Sequence, residues 1–171
     1  MNELQVRLGR LEIEVASIAA TAEMVIVDGT LSGRQNVPGA IGYIKSHHVQ
    51  YLPPELERIV SALEPGQRTP VFLTRTTWSR YSWYLRLPGG QGHPWAGIVR
   101  CEASASLAAS EAIRMADMTA ATLPRYASEP HKETRAPQNL YPISGLEQAL
   151  RRRLGDQQLL YRALCKAAGS E

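Results

Sequence analysis

The residues from 24 to 34, MVIVDGTLSGR, run four apolar side chains into an aspartate, and Gly29 follows at a turn. A carboxylate at the end of a buried strand is held rigidly at the rim of a sheet, a position suited to binding a divalent metal or taking a proton. An Asp-Gly pair also caps turns through its own backbone, and the local sequence leaves both uses of Asp28 open. Two glutamates precede it. Leu4, Leu8, Leu11, Val15 and Ile18 recur at steps of four and three and trace an apolar helical stripe, which should pack on a sheet or on a partner helix. Glu12 and Glu14 fall on its opposite borders, so periodicity does not say which of them faces a site.

A second constellation is basic and aromatic. Lys45, Arg75, Arg80, Arg86 and Arg100 are interleaved with Tyr43, Trp78, Tyr81, Trp83, Tyr84 and Trp95. Such a set could line a groove that follows a phosphate backbone and stacks bases. The alternation in RYSWYLRL, with Tyr81, Trp83 and Leu85 on one face and Ser82, Tyr84 and Arg86 on the other, equally describes an ordinary amphipathic strand. The pair His47 and His48 could ligate a metal, but neighbours on a strand point to opposite faces, so at most one joins a given site. Other chemistries are set aside. The chain has no GxxxxGK[ST] loop, no GxGxxG after a strand and no GxSxG elbow, and neither Cys101 nor Cys165 has a plausible catalytic base beside it in sequence.

The elements that must position these residues begin with the helix that bears Glu12 and the strand 24 to 28. A strand is expected in AIGYIKS, 40 to 46, and a helix in PPELERIVSALEPG, opened by Pro53 and Pro54 and closed by Pro65-Gly66. Strand signals follow at 69 to 76, 80 to 87 and 95 to 104, the last two joined as a hairpin through PGGQGHP. An alanine-rich helix from about 106 to 123 stops at Pro124. A polar, proline-punctuated loop covers 127 to 142, and a last helix from about 144 to 167 projects Arg151, Arg152 and Arg153. The order suits an α/β fold, a mixed sheet with helices packed on its faces, in one domain covering residues 1 to 171.

Lys and Arg number 19 against 16 Asp and Glu, a mild excess that permits a polyanionic partner without requiring one. The two cysteines have no paired or metal-ligand spacing and read as buried thiols in a reducing cytoplasm. No apolar run approaches the roughly 18 residues of a membrane span, and no signal-peptide pattern opens the chain. A soluble cytoplasmic protein is expected.

The series IVDGTLSG, GAIGYIKSHHVQYLPP, SWYLRLP, PWAGIVRCE and RAPQNLYPISGLEQALRRRLGD resembles the later part of the NurA family of DNA-repair nucleases, from about residue 10 to 165. The resemblance implies an RNase H-like core, a homodimer around DNA, and manganese-dependent (or magnesium-dependent) exonuclease and endonuclease action in end resection during homologous recombination. It also implies partnership with a HerA-type hexameric ATPase. Asp28 matches the family's second strand-end aspartate and would ligate the metal. Glu12 fits the family's helix glutamate better than Glu14, as second ligand or orienter of the attacking water. Two ions about 4 Å apart serve in-line phosphodiester displacement in such sites.

The chain departs from that pattern twice. A first DGS-type aspartate strand, usual upstream of the glutamate, is not in the sequence, so the nuclease domain reads as incomplete at its N-terminus. The late histidine is also missing, since NLYPISGLE carries none, and His131 upstream is not a match. The alternative is a catalytically inactive DNA-binding or ATPase-docking module that keeps the nuclease scaffold. Without the first strand, backbone groups and apolar surface should be left for a homodimer or a complementing chain, with the Leu4 to Ile18 stripe as one contact.

Overall fold

The computed structural model describes residues 3–19, 22–47, 49, 51–129 and 136–168. Helix α1 (Glu3–Ile18) precedes β1 (Val25–Asp28) and β2 (Ala40–Ile44), and α2 (Pro54–Ser61) leads to β3 (Phe72–Arg75), β4 (Ser79–Arg86) and β5 (Ile98–Ser104). Then come α3 (Ala109–Thr122), a 3-10 turn at Leu123–Tyr126, α4 (Tyr141–Leu154) and α5 (Gln157–Ala168). The strands form one mixed sheet in the order β1-β2-β5-β4-β3. β1 and β2 are parallel, and the other pairings are antiparallel. The α/β expectation is met, with the hairpin in register at Arg86↔Ile98.

Alternation along β4 sends Trp83 and Leu85 to one face, where they join Ile41, Tyr43, Val99 and Cys101 under Met115 and Ala116 of α3. Trp83 is fully buried, and its indole Nε1 donates to Thr119 Oγ1 at 2.9 Å, so the ring is buried without an orphaned N–H. The opposite face is divided. Ala40, Val25 and Val27 pack with Ala16 and Ile13 of α1 at one end, while Tyr84 and Ile98 pack with Val60 of α2 at the other. β4 is therefore covered on both sides, which is why its alternation does not make a solvent-facing strand.

Helix α1 docks through Ile13 and Ala16, not through the stripe read from periodicity: Leu8, Leu11, Val15 and Ile18 are exposed. The side chain of Leu4, the stripe's first member, is outside what the structure describes, as are His48 and His131. The last helix is two helices, because Gly155 adopts φ 73°, a conformation that ends α4 before α5 begins. Cys101 is buried as expected, but Cys165 is exposed on α5, a helix whose described side chains are all exposed. Among the described residues no helix is long and apolar enough to cross a membrane.

Candidate functional site

β1 delivers Asp28 to its C-terminal end, and Gly29 turns the chain at φ 99°. An L side chain rarely adopts that angle, which accounts for the glycine. The Gly29 amide donates to Tyr43 O at 2.8 Å, and Gly29 and Tyr43 form an isolated antiparallel bridge just past the end of the parallel pairing. The Asp28 side chain remains 43% exposed, and its Oδ2 accepts from Lys45 Nζ at 2.8 Å. The same ammonium donates to Asn139 Oδ1 at 3.3 Å. Asn139 is wholly buried just before α4, and its Nδ2 has no hydrogen-bond partner. Beside it the Tyr43 hydroxyl donates to Gln138 O at 2.7 Å. Burial pushes that phenol well above its ordinary range, with the nearby Cys101 and Asp28 adding to the rise, so Tyr43 is a neutral donor here.

Glu12 reaches the same turn by another route. Its carboxylate is paired with Arg34, whose Nη1 also donates to Thr30 O at 3.2 Å. Each of these two carboxylates is thus paired with its own side-chain cation, and Glu12 is tied through Arg34 to the turn that follows Asp28. Glu14 is exposed on α1. Among the described residues no three His, Cys, Asp or Glu side chains converge as a metal site. Two carboxylates already occupied by Lys45 and Arg34, with one amide oxygen, do not fit a two-metal centre by themselves. His47 lies past the end of β2, with Nε2 2.9 Å from Ile98 O and its ring against Tyr84 and Trp95.

The five basic residues divide. Lys45 belongs to the Asp28 site. Arg80 and Arg100 are 4% and 6% exposed and converge on Glu102, which is fully buried. Arg100 Nη1 donates to Glu102 Oε2 at 3.1 Å. Arg80 Nε lies 3.0 Å from the same oxygen with its N–H off the line of contact, a charge contact rather than a hydrogen bond. The Tyr51 ring covers both guanidiniums, at 5.1 and 4.3 Å, and Trp78 covers Arg80 at 4.9 Å. Arg86 is held by the carbonyls of Ser61, Pro94 and Ala96. Arg75 is exposed on β3, on the opposite face from Arg80, Arg86 and Arg100. These residues do not form one continuous row.

Glu102 and Asn139 were missed by sequence reasoning. Glu102 sits inside the apolar run WAGIVRCEAS, and its value lies in the register that brings it beside Gly42 and Ser82. Its Oε1 accepts from the Leu31 amide at 2.6 Å, so the buried charge cluster fixes the turn that follows Asp28. A Cβ on Gly42 would lie 2.8 Å from Glu102 Cγ, which explains the glycine in a fully buried strand. Nothing local in the sequence marks Asn139. Exposed basic side chains collect instead on the last two helices, at Arg151, Arg152, Arg153, Arg162 and Lys166.

No protein-family model matches this chain, and no curated protein matches it.

Proposed function

We propose that this chain is a DNA-end-processing domain of the NurA type, with Asp28 at the centre of its site. The observation that carries the reading is the strand-end carboxylate: Asp28 ends β1 on an exposed rim, and Glu12 is anchored to the same turn through Arg34. Exposed arginines on α4 and α5 supply a cationic surface for phosphates, and the sequence pI of about 9.0 is compatible with a polyanion. In this reading the chain works on DNA ends with a HerA-type ATPase and as a homodimer. Asp28 and Glu12 are the carboxylates it contributes to manganese-dependent or magnesium-dependent phosphodiester hydrolysis. They form part of a ligand set, so cleavage needs a further acidic side chain brought by a second copy or partner, and needs Lys45 to leave Asp28. An RNase H-like core and a cytoplasmic location belong to the same proposal.

A second reading, a noncatalytic DNA-binding or ATPase-docking module on the same scaffold, is favoured by one contact. The Lys45 ammonium sits between Asp28 Oδ2 and Asn139 Oδ1, where an internal cation satisfies both oxygens. End-labelled linear DNA incubated with the purified protein and manganese, with EDTA as control, separates the two. Metal-dependent cleavage that Asp28→Asn abolishes supports the nuclease. Salt-dependent binding without cleavage supports the module, and absence of both overturns the DNA reading.

A further inference from the structure

We infer that the outer edge of β3 is a docking site for an extended, acidic polypeptide segment of another protein, which adds to the sheet as a sixth strand. Among the described residues β3 has a strand neighbour on one side, β4. The Thr76 amide donates to Trp78 O at 3.3 Å, and these two residues continue the Phe72↔Ser82 and Thr74↔Arg80 pairing. In an antiparallel ladder hydrogen-bonded pairs recur every second residue, so Phe72 and Thr74 turn their N–H and C=O groups toward β4. Those of Leu73 and Arg75 face outward, presenting two donors and two acceptors to an added strand.

The flanks of that edge are shaped for alternate side chains. On the α2 side a depression of about 170 Å³ is lined by Leu52, Leu56, Ile59 and Phe72 and is almost wholly apolar. On the α3 side a wider one of about 760 Å³ is lined by Val71, Ile113, Asp117 and Ala120. Pro70 borders both. Successive residues of a strand laid along β3 point to opposite faces, so its side chains would enter the two depressions in turn, the arrangement used in strand addition. Leu73, Ile59 and Ile113 stand 42%, 47% and 46% exposed around them, an apolar surface that an incoming segment would cover.

Charge selects the occupant. Arg68 on the α3 side is neutralised by Asp117 at 2.6 Å, whereas Arg75, on the Leu73 face, is exposed and calls for a carboxylate. A second copy of β3 does not supply one, since Val71 to Arg75 contains no acidic residue. A foreign segment with apolar residues at alternate positions and a glutamate or aspartate opposite Arg75 satisfies both the backbone and the charge.

The test uses two blocked heptapeptides of alternating valine and threonine, one carrying a single glutamate and the other a lysine in its place, titrated into the isotopically labelled full chain and followed by amide shifts. The glutamate peptide should shift amides from 71 to 75 and along the facing sides of α2 and α3. The lysine peptide should bind at least about fivefold more weakly, and Arg75→Glu should reverse that order. Leu73→Pro removes an outward-facing N–H while leaving the β3–β4 ladder intact, and should abolish binding of both. No shift at millimolar peptide, equal binding by Leu73→Pro, or shifts elsewhere on the molecule would overturn the proposal. Sedimentation showing a wild-type dimer that Leu73→Pro converts to monomer would also overturn it, because the occupant would then be a second copy.

Discussion

Two carboxylates in this molecule do opposite things with the same chemistry. Glu102 is fully buried in the sheet between Arg80 and Arg100, while Asp28 stands at the sheet's rim with Lys45. Around Glu102 every charge is out of water, and the ions are bound to one another and to the Leu31 amide, with Arg80 also donating to Thr76 Oγ1 and Trp78 O. Around Asp28 the side chain is 43% exposed, and water competes with Lys45 for it. Burial turns an ion pair into a fixed part of the frame, because removing one partner strands the others. Exposure leaves a pair whose cation can be exchanged, as a binding site requires.

The largest expected effect comes from breaking the buried member. Glu102→Ala leaves two guanidiniums facing each other in a dry layer and frees the Leu31 amide, and should cost about 3–5 kcal/mol, read as a lowered urea midpoint. A loss below about 1 kcal/mol would show that the arginines find water, and the contrast with Asp28 would collapse. Gly42→Ala probes the same centre sterically. Its new Cβ would meet Glu102 Cγ at 2.8 Å and Gly29 O at 2.9 Å, so about 1–3 kcal/mol should be lost in a denaturant melt. A neutral Gly42→Ala would mean that the turn after Asp28 is not held against Glu102.

The comparison also explains what could be read from the sequence. Strands announce themselves through β-branched and aromatic residues, so β1 to β5 and the 86-to-98 hairpin were legible, as was Asp28 at a strand end. Ion-pair geometry is not local. Lys45 is 17 residues from Asp28, and Glu102 meets its arginines through strand register, so Arg80 and Arg100 looked like candidates for a solvent groove when they are buried. The stripe on α1 was legible as a stripe, but the sheet took the Ile13 and Ala16 face instead, since small Ala16 permits close approach. A break between α4 and α5 rests on the backbone of one glycine, which an otherwise continuous leucine spacing concealed.

At the exposed carboxylate the expected effect on stability is smaller. Lys45→Met should change the unfolding free energy by about 1 kcal/mol or less, since one partner is near water. Its sharper readout is manganese ion added alone. If Lys45 is the internal cation of the site, paramagnetic broadening of the Gly29 and Thr30 amides should be stronger in Lys45→Met than in the wild type. Equal broadening would show that Lys45 does not compete with a metal for Asp28.

The smallest effect is expected at a second part-exposed carboxylate, Glu111, whose side chain is 40% exposed, close to that of Asp28. Glu111, in the first turn of α3, accepts from Arg114 Nη2 at 2.8 Å and Nε at 3.1 Å. Hydrogen bonds from Arg114 hold its carboxyl below the ordinary value of 4.5. A carboxyl whose folded pKa is depressed stabilises the fold above its unfolded pKa and loses that contribution as pH falls through the folded one. The melting temperature of wild type minus that of Glu111→Gln should therefore be constant from neutral pH down to about 5 and shrink below 4.5. Added salt should reduce it at every pH, because an exposed pair is screened. A salt-insensitive difference would place Glu111 with Glu102, among charges that water does not reach, and would break the contrast between buried and water-accessible carboxylates.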